Sequence, residues 1–230
     1  MHCRYVRNDP AGPPSAGPVF GMTPERVGRD RPAVEPASVA ASHSTIHLRP
    51  LTCPQVADQR PRSGLMIEIP EAEPAVARHR ERLDASSRLG IPAHITVLSP
   101  FILPQAISTA ALARLERLFA AVSQFRFQLD RTAWFGDEVL WLAPRDPGPF
   151  RALTRSVVEA FPAFRPYDGE FGDSTPHLTV GHGHPLTDLR AAEESVQTHL
   201  PIDAQATAVT LVTQQSAAEQ WTKAATFTMA

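Results

Sequence analysis

Cysteine is almost absent from this 230-residue chain: there are two, Cys3 and Cys53, both in its first quarter. The remainder therefore offers neither a disulfide framework nor a cysteine-based metal site. No run approaches the roughly 18 apolar residues of a membrane-spanning helix. The N-terminus lacks the basic start and continuous apolar stretch of a secretory signal. A cytoplasmic, monomeric protein with no membrane partner is the expectation. Lysine is nearly missing as well, with Lys223 alone among 22 basic residues. A basic excess is also lacking. Residues 1–64 hold eight arginines against five acidic residues, and residues 65–230 hold fourteen basic against nineteen acidic, for a formal net charge of −2. Such a balance provides no basic track for a long nucleic-acid backbone, but it suits a small nucleotide or a strand end.

What is present divides the chain in two. Residues 1–64 carry 10 of the 23 prolines and no sustained period of 2 or 3.6. Stretches such as Asp9-Pro10-Ala11-Gly12-Pro13-Pro14 cannot bury enough surface to offset their ordering entropy, so this part reads as a disordered tail. Residues 65–230 read as one folded domain of two lobes. Leu65–Ile69 is a strand closed by Pro70, and a helix runs from Pro74 to Leu89 before Gly90. A strand follows at His94–Val97. Ser108 is a fitting N-cap for a helix with an apolar stripe of Leu112, Leu115, Leu118, Phe119 and Val122. Phe125, Phe127 and Leu129 alternate as a strand. The same order then recurs, with a strand at Val139–Leu142, a helix at Phe150–Phe161, a strand at His177–Gly181, a helix at Leu186–Leu200 and a strand at Ala208–Val212. A last strand covers Thr222–Met229. Repetition of architecture without repetition of residues predicts a pseudo-two-fold arrangement around a cleft.

At the same place in each half stands a His-x-Thr strand: His94-Ile95-Thr96-Val97 and His177-Leu178-Thr179-Val180. Side chains alternate across a strand, so each histidine shares a face with its threonine while the intervening aliphatics point to the core. Two imidazoles and two hydroxyls converging from two strands would suit acid–base chemistry on a phosphate. The spacing alone is weak, since the chain has nine histidines. It recurs at His43-Ser44-Thr45, inside the proline-rich tail, where chance explains it. Taken singly, each pair also fits a half-buried strand with satisfied polar groups. The matching contexts carry the weight.

The stretches Ile91-Pro92-Ala93-His94-Ile95-Thr96-Val97-Leu98-Ser99-Pro100-Phe101 and Thr175-Pro176-His177-Leu178-Thr179-Val180-Gly181 resemble the 2H phosphoesterase superfamily, named for its two His-x-Thr/Ser motifs. Within it, the chain looks most like the bacterial 2'-5' RNA ligase-like proteins, over about residues 65–229. The resemblance implies an α+β bilobal fold with two mainly antiparallel sheets, outer helices and a central cleft. It implies His94 and His177 as the catalytic pair, Thr96 and Thr179 as phosphate-binding groups, and no metal or other cofactor. The implied partner is a small nucleotide or RNA terminus with a 2',3'-cyclic phosphate or 2'-5' linkage. Five residues after the second histidine, where relatives often carry an arginine, this chain has His182. That departure counts against ligation.

Other residues offer further expectations. His182, Trp134, Tyr167 and Arg165 are candidate substrate contacts. Trp134 reads as lying in a loop before Gly136, and Tyr167 in the polar stretch 162–176 expected to border the cleft. Phe101 and Phe135 could stack on a base but read better as core, and Arg131 is a further candidate for phosphate. His177, His182 and His184 invite a metal reading, although a solvated turn before Pro185 explains the last two. A nucleotide- or RNA-end-binding module without turnover and a 2'-5' RNA ligase are the alternatives to a hydrolase.

Overall fold

The computed structural model describes residues 60–165 and 175–230. Most of the tail, and Tyr167 with much of the stretch 162–176, lie outside these described residues. The first sheet contains β1 (Arg62–Glu68), β2 (His94–Leu98), β7 (Ala208–Gln214) and β8 (Thr222–Thr228) in the order β2-β1-β7-β8. The second contains β3 (Phe125–Phe135), β4 (Val139–Pro144), β5 (Leu178–His182) and β6 (Ile202–Ala206) in the order β5-β4-β3-β6. Every pairing is antiparallel. The fold is therefore α+β, and both sheets place a His-x-Thr strand at one edge.

The fold departs from the sequence expectations at four places. The closing strand of each repeated unit does not stay with its own half: β3 joins the second sheet and β7 returns to the first. Ordered structure begins before Leu65, because Arg62, Ser63 and Gly64 pair with Gln214, Thr213 and Val212. That start is polar and glycine-containing, so it carries no apolar alternation. β6 was not foreseen, since Ile202-Asp203-Ala204-Gln205-Ala206 alternates with side chains too small to signal a strand; its burial nevertheless alternates strictly. The single helix expected over 74–89 is α1 (Glu73–Leu83) followed by α2 (Ala85–Arg88), broken at Asp84, whose backbone is extended and whose side chain accepts from Ser86 N–H.

The remaining helices are α3 (Thr109–Ala120), α4 (Gly148–Ala160) and α5 (Leu186–Gln197). Ser108 caps α3 by accepting the Ala111 N–H at 3.1 Å. The helices that follow β1 and β4 pack across to the opposite motif strand. α1 lies on β5 and α4 on β2. Thr154 Oγ1 of α4 donates to the Val97 carbonyl at 3.0 Å. On the other side β5 has no room to spare: a Cβ at Gly181 would stand 2.6 Å from Leu189 Cδ2 and 2.9 Å from Leu83 Cβ. One apolar cluster, including Ile67, Ile95, Val97, Leu140, Leu178 and Val180, runs through both sheets. Each fully buried aliphatic in it adds about 1.5–3 kcal/mol, so the strands carrying the motifs are fixed from behind.

Candidate active site

Alternation works on both motif strands. Ile95 and Leu178 are fully buried, while His94, Thr96, His177 and Thr179 are half-buried on the opposite face. β2 and β5 touch each other across the two sheets. The structure thus brings the two motifs together. Their histidines are held alike. His94 Nδ1 lies 2.9 Å from the Pro92 carbonyl, and His177 Nδ1 lies 2.8 Å from the Thr175 carbonyl. A carbonyl only accepts, so Nδ1 carries the hydrogen in both rings. In the neutral tautomer this leaves each Nε2 with its lone pair, which is the nitrogen able to take or deliver a catalytic proton.

Both rings are held neutral. Burial pushes His94 down to about 4, opposed by the Pro92 carbonyl and reinforced by the Arg80 charge and, more weakly, by His177 itself. Burial likewise lowers His177, opposed by the Thr175 carbonyl. Desolvation disfavours the imidazolium, and the second ring adds like-charge repulsion. Arg80 is 1% exposed and donates from Nη2 to Asp84 Oδ2 at 2.9 Å, while Asp84 Oδ1 accepts the Ser86 N–H at 2.9 Å. This buried ion pair behind the site was missed in the sequence, where one continuous helix placed both residues on an ordinary i,i+4 face.

The aromatic expectations divide. Trp134 lies within β3, not in a loop, and pairs with Leu140. Its side chain faces α5: Nε1–H donates to Glu193 Oε1 at 2.8 Å, and the Arg190 guanidinium sits 4.3 Å from the ring. It is not beside the histidines. Its neighbour Phe135 is, with its ring edge-on to His177 at 5.0 Å and stacked on Trp141 at 4.7 Å. Phe135 is therefore not the core residue expected. Trp141, which register places opposite Thr179, was not foreseen at all; it stands 5.8 Å from His177. Strand parity would have found it, because Ala133, Phe135, Trp141 and Thr179 share one face. Phe101 is core, packed edge-on against Phe161 at 5.2 Å.

His182 ends β5 opposite Val139, exposed, on the face that carries Phe135. Arg165 is exposed, and Arg131 is exposed and paired with Asp130 at 2.9 Å. Among the described residues, no three His, Cys, Asp or Glu side chains converge as a metal site.

The family described as the 2'-5' RNA ligase superfamily matches residues 69–218, a span that includes both motifs. The chain belongs to the 2'-5' RNA ligase superfamily. Comparison with curated proteins finds no match. Among solved structures, Escherichia coli LigT complexed with NADP+ is 21% identical, covering 75% of this chain and 98% of LigT with a TM-score of 0.46. LigT complexed with 3'-AMP is 18% identical over 74% and 99% of the two chains, also at 0.46. A structure described as a phosphoesterase is 20% identical over 73% and 98%, at 0.47. Membership in the superfamily, which is of the 2H phosphoesterase type, rests on the matched span.

Proposed function

We propose that this chain is a metal-independent phosphoesterase that opens a 2',3'-cyclic phosphate, or cleaves a 2'-5' phosphodiester, in RNA or a small nucleotide. The observation that carries this is the matched anchoring of His94 and His177, each with Nδ1–H on the carbonyl two residues before it. One neutral Nε2 removes a proton from water, whose oxygen attacks phosphorus. The other ring, as imidazolium, gives its Nε2 proton to the departing ribose oxygen. Each proton transfer is typically worth about 10²–10⁴-fold. Thr96 and Thr179 donate to the non-bridging oxygens as charge redistributes. The roles of the two rings exchange when the reaction runs backwards.

The free site holds both rings neutral, so the acid must be charged when substrate arrives. A phosphate between them supplies the opposite charge that raises one imidazole's affinity for a proton. Substrate and acid are thus assembled together. The superfamily's name also includes ligases. Joining would use the same pair in reverse, but His182 stands where relatives often carry an arginine, which counts against it. We place the reaction in the cytoplasm; no helix among the described residues is long and apolar enough to cross a membrane.

Hydrolysis of a panel of 2',3'-cyclic nucleotides in excess EDTA tests this reading with wild type, His94→Ala and His177→Ala. Turnover should survive EDTA and fall at least about 100-fold in each variant. Undiminished turnover in either variant, or its loss with EDTA, would refute the two-histidine mechanism.

A further inference from the structure

The sheet face that carries His94 also carries a small apolar cluster separate from the core. Met66, Ile91 and Val212 are buried there, with Trp221 packed against them. They floor a cavity of about 260 Å³ whose rim includes Pro92, Glu68 and Lys223. That volume is below the roughly 300–1,000 Å³ of pockets that take a whole drug-sized ligand, so it suits one part of a ligand.

The cavity adjoins the proposed phosphate site directly. Pro92 supplies the carbonyl that anchors His94, and Glu68 is the register partner of His94 in β1. Its far wall is already built: Trp221 N–H donates to the Leu89 carbonyl at 2.8 Å, Gln220 Nε2 to the Arg88 carbonyl at 3.2 Å, and the Arg62 guanidinium lies 5.4 Å from the Trp221 ring. A preformed wall costs little ordering entropy when a ligand enters.

The rim carries both charges. Lys223 Nζ, the only lysine nitrogen of the chain, is 2.8 Å from Glu68 Oε1, which also accepts from Thr210 Oγ1 at 2.8 Å. Burial works to raise the Glu68 carboxyl, but the hydrogen bonds from Lys223 and Thr210 outweigh it and keep the group ionised. A carboxylate here repels a second phosphate. An apolar floor edged by one obligate acceptor and one obligate donor instead fits a flat heterocycle offering N–H beside C=O.

We infer that this cavity is the base subsite and that it selects a 6-oxopurine, guanine, through Glu68 and Lys223. The N1–H and amino N–H face the carboxylate, and O6 faces the ammonium. Adenine has no carbonyl for the ammonium, and the pyrimidines cover less of the apolar floor. The inference rests on the proposed phosphate site at the histidines.

Calorimetric titration of the full chain with inorganic phosphate and with the 3'-monophosphates of guanosine, adenosine, cytidine and uridine tests it. Guanosine 3'-monophosphate should bind at least about tenfold tighter than the adenosine form, the scale of a well-placed polar pair. In Glu68→Gln and in Lys223→Met that ratio should fall to about threefold or less, with circular dichroism confirming the fold. Equal affinity for all four bases, or a guanine preference that survives both substitutions, overturns the subsite alone. Wild type that binds neither phosphate nor any nucleotide overturns the underlying phosphate site and the subsite with it.

Discussion

His94 and His177 are tied at Nδ1 to backbone carbonyls, which orients each ring and makes Nε2 the nitrogen that the proposed mechanism uses. The cost is that a buried neutral imidazole penalises the folded state at acid pH. His94 titrates near 4 when folded and near 6.5 when unfolded. Between those values the unfolded chain binds more protons, so stability is full above about pH 6.5 and declines as pH falls toward about 4, by at most about 3 kcal/mol from this residue. Urea denaturation across that window should show a shallower pH slope in His94→Gln than in wild type. An identical slope would mean that His94 is not buried neutral. The motif residues were legible because spacing on a strand fixes their shared face. The aromatic neighbours were legible only in part. Composition could not say that Trp134 faces α5 while Phe135 and Trp141 face His177, since that depends on where β3 ends and how β4 registers against it.

At the scale of elements, the site depends on helices that cross-brace the two motif strands. α1 is positioned by its C-terminal break, where Arg80 and Asp84 form an ion pair with side chains 1% and 9% exposed. Asp84→Ala leaves the guanidinium buried without its partner, and a loss of about 3–5 kcal/mol is expected, read as a lower denaturant midpoint. Trp134→Phe removes the indole bond to Glu193 and weakens the Arg190 contact on the far face of the second sheet. It should cost about 1–2 kcal/mol and leave KM for a cyclic nucleotide unchanged. A rise in KM would return Trp134 to the substrate side. The sequence showed α3 plainly, because Ser108 and an apolar stripe agree. It concealed the break at Asp84, since that residue's exchange of helix continuation for a cap on α2 depends on Arg80 and Ser86 meeting in three dimensions. It concealed β6 because alanines bury as well as valines yet do not announce a strand.

At the scale of the molecule, two four-stranded sheets, each with its motif strand at one edge, place those edge strands against each other at the candidate site. The recurrence of elements made this pairing legible, but the exchange of β3 and β7 between sheets was not, because strand partners are chosen by tertiary packing rather than by chain order. The shared site has a consequence for pH. kcat/KM follows the titrations of the free protein, and the proposed mechanism uses the small fraction in which one ring is neutral and the other charged. With both histidines below their ordinary value, the optimum lies between two lowered titrations. The profile of kcat/KM against pH for a 2',3'-cyclic nucleotide, which does not itself titrate in this range, is therefore the most direct measurement. A bell centred below about pH 6.5, losing a limb in both His94→Ala and His177→Ala, is the result expected. A profile that rises steadily through neutral pH, or keeps its shape in either variant, would contradict catalysis by this pair.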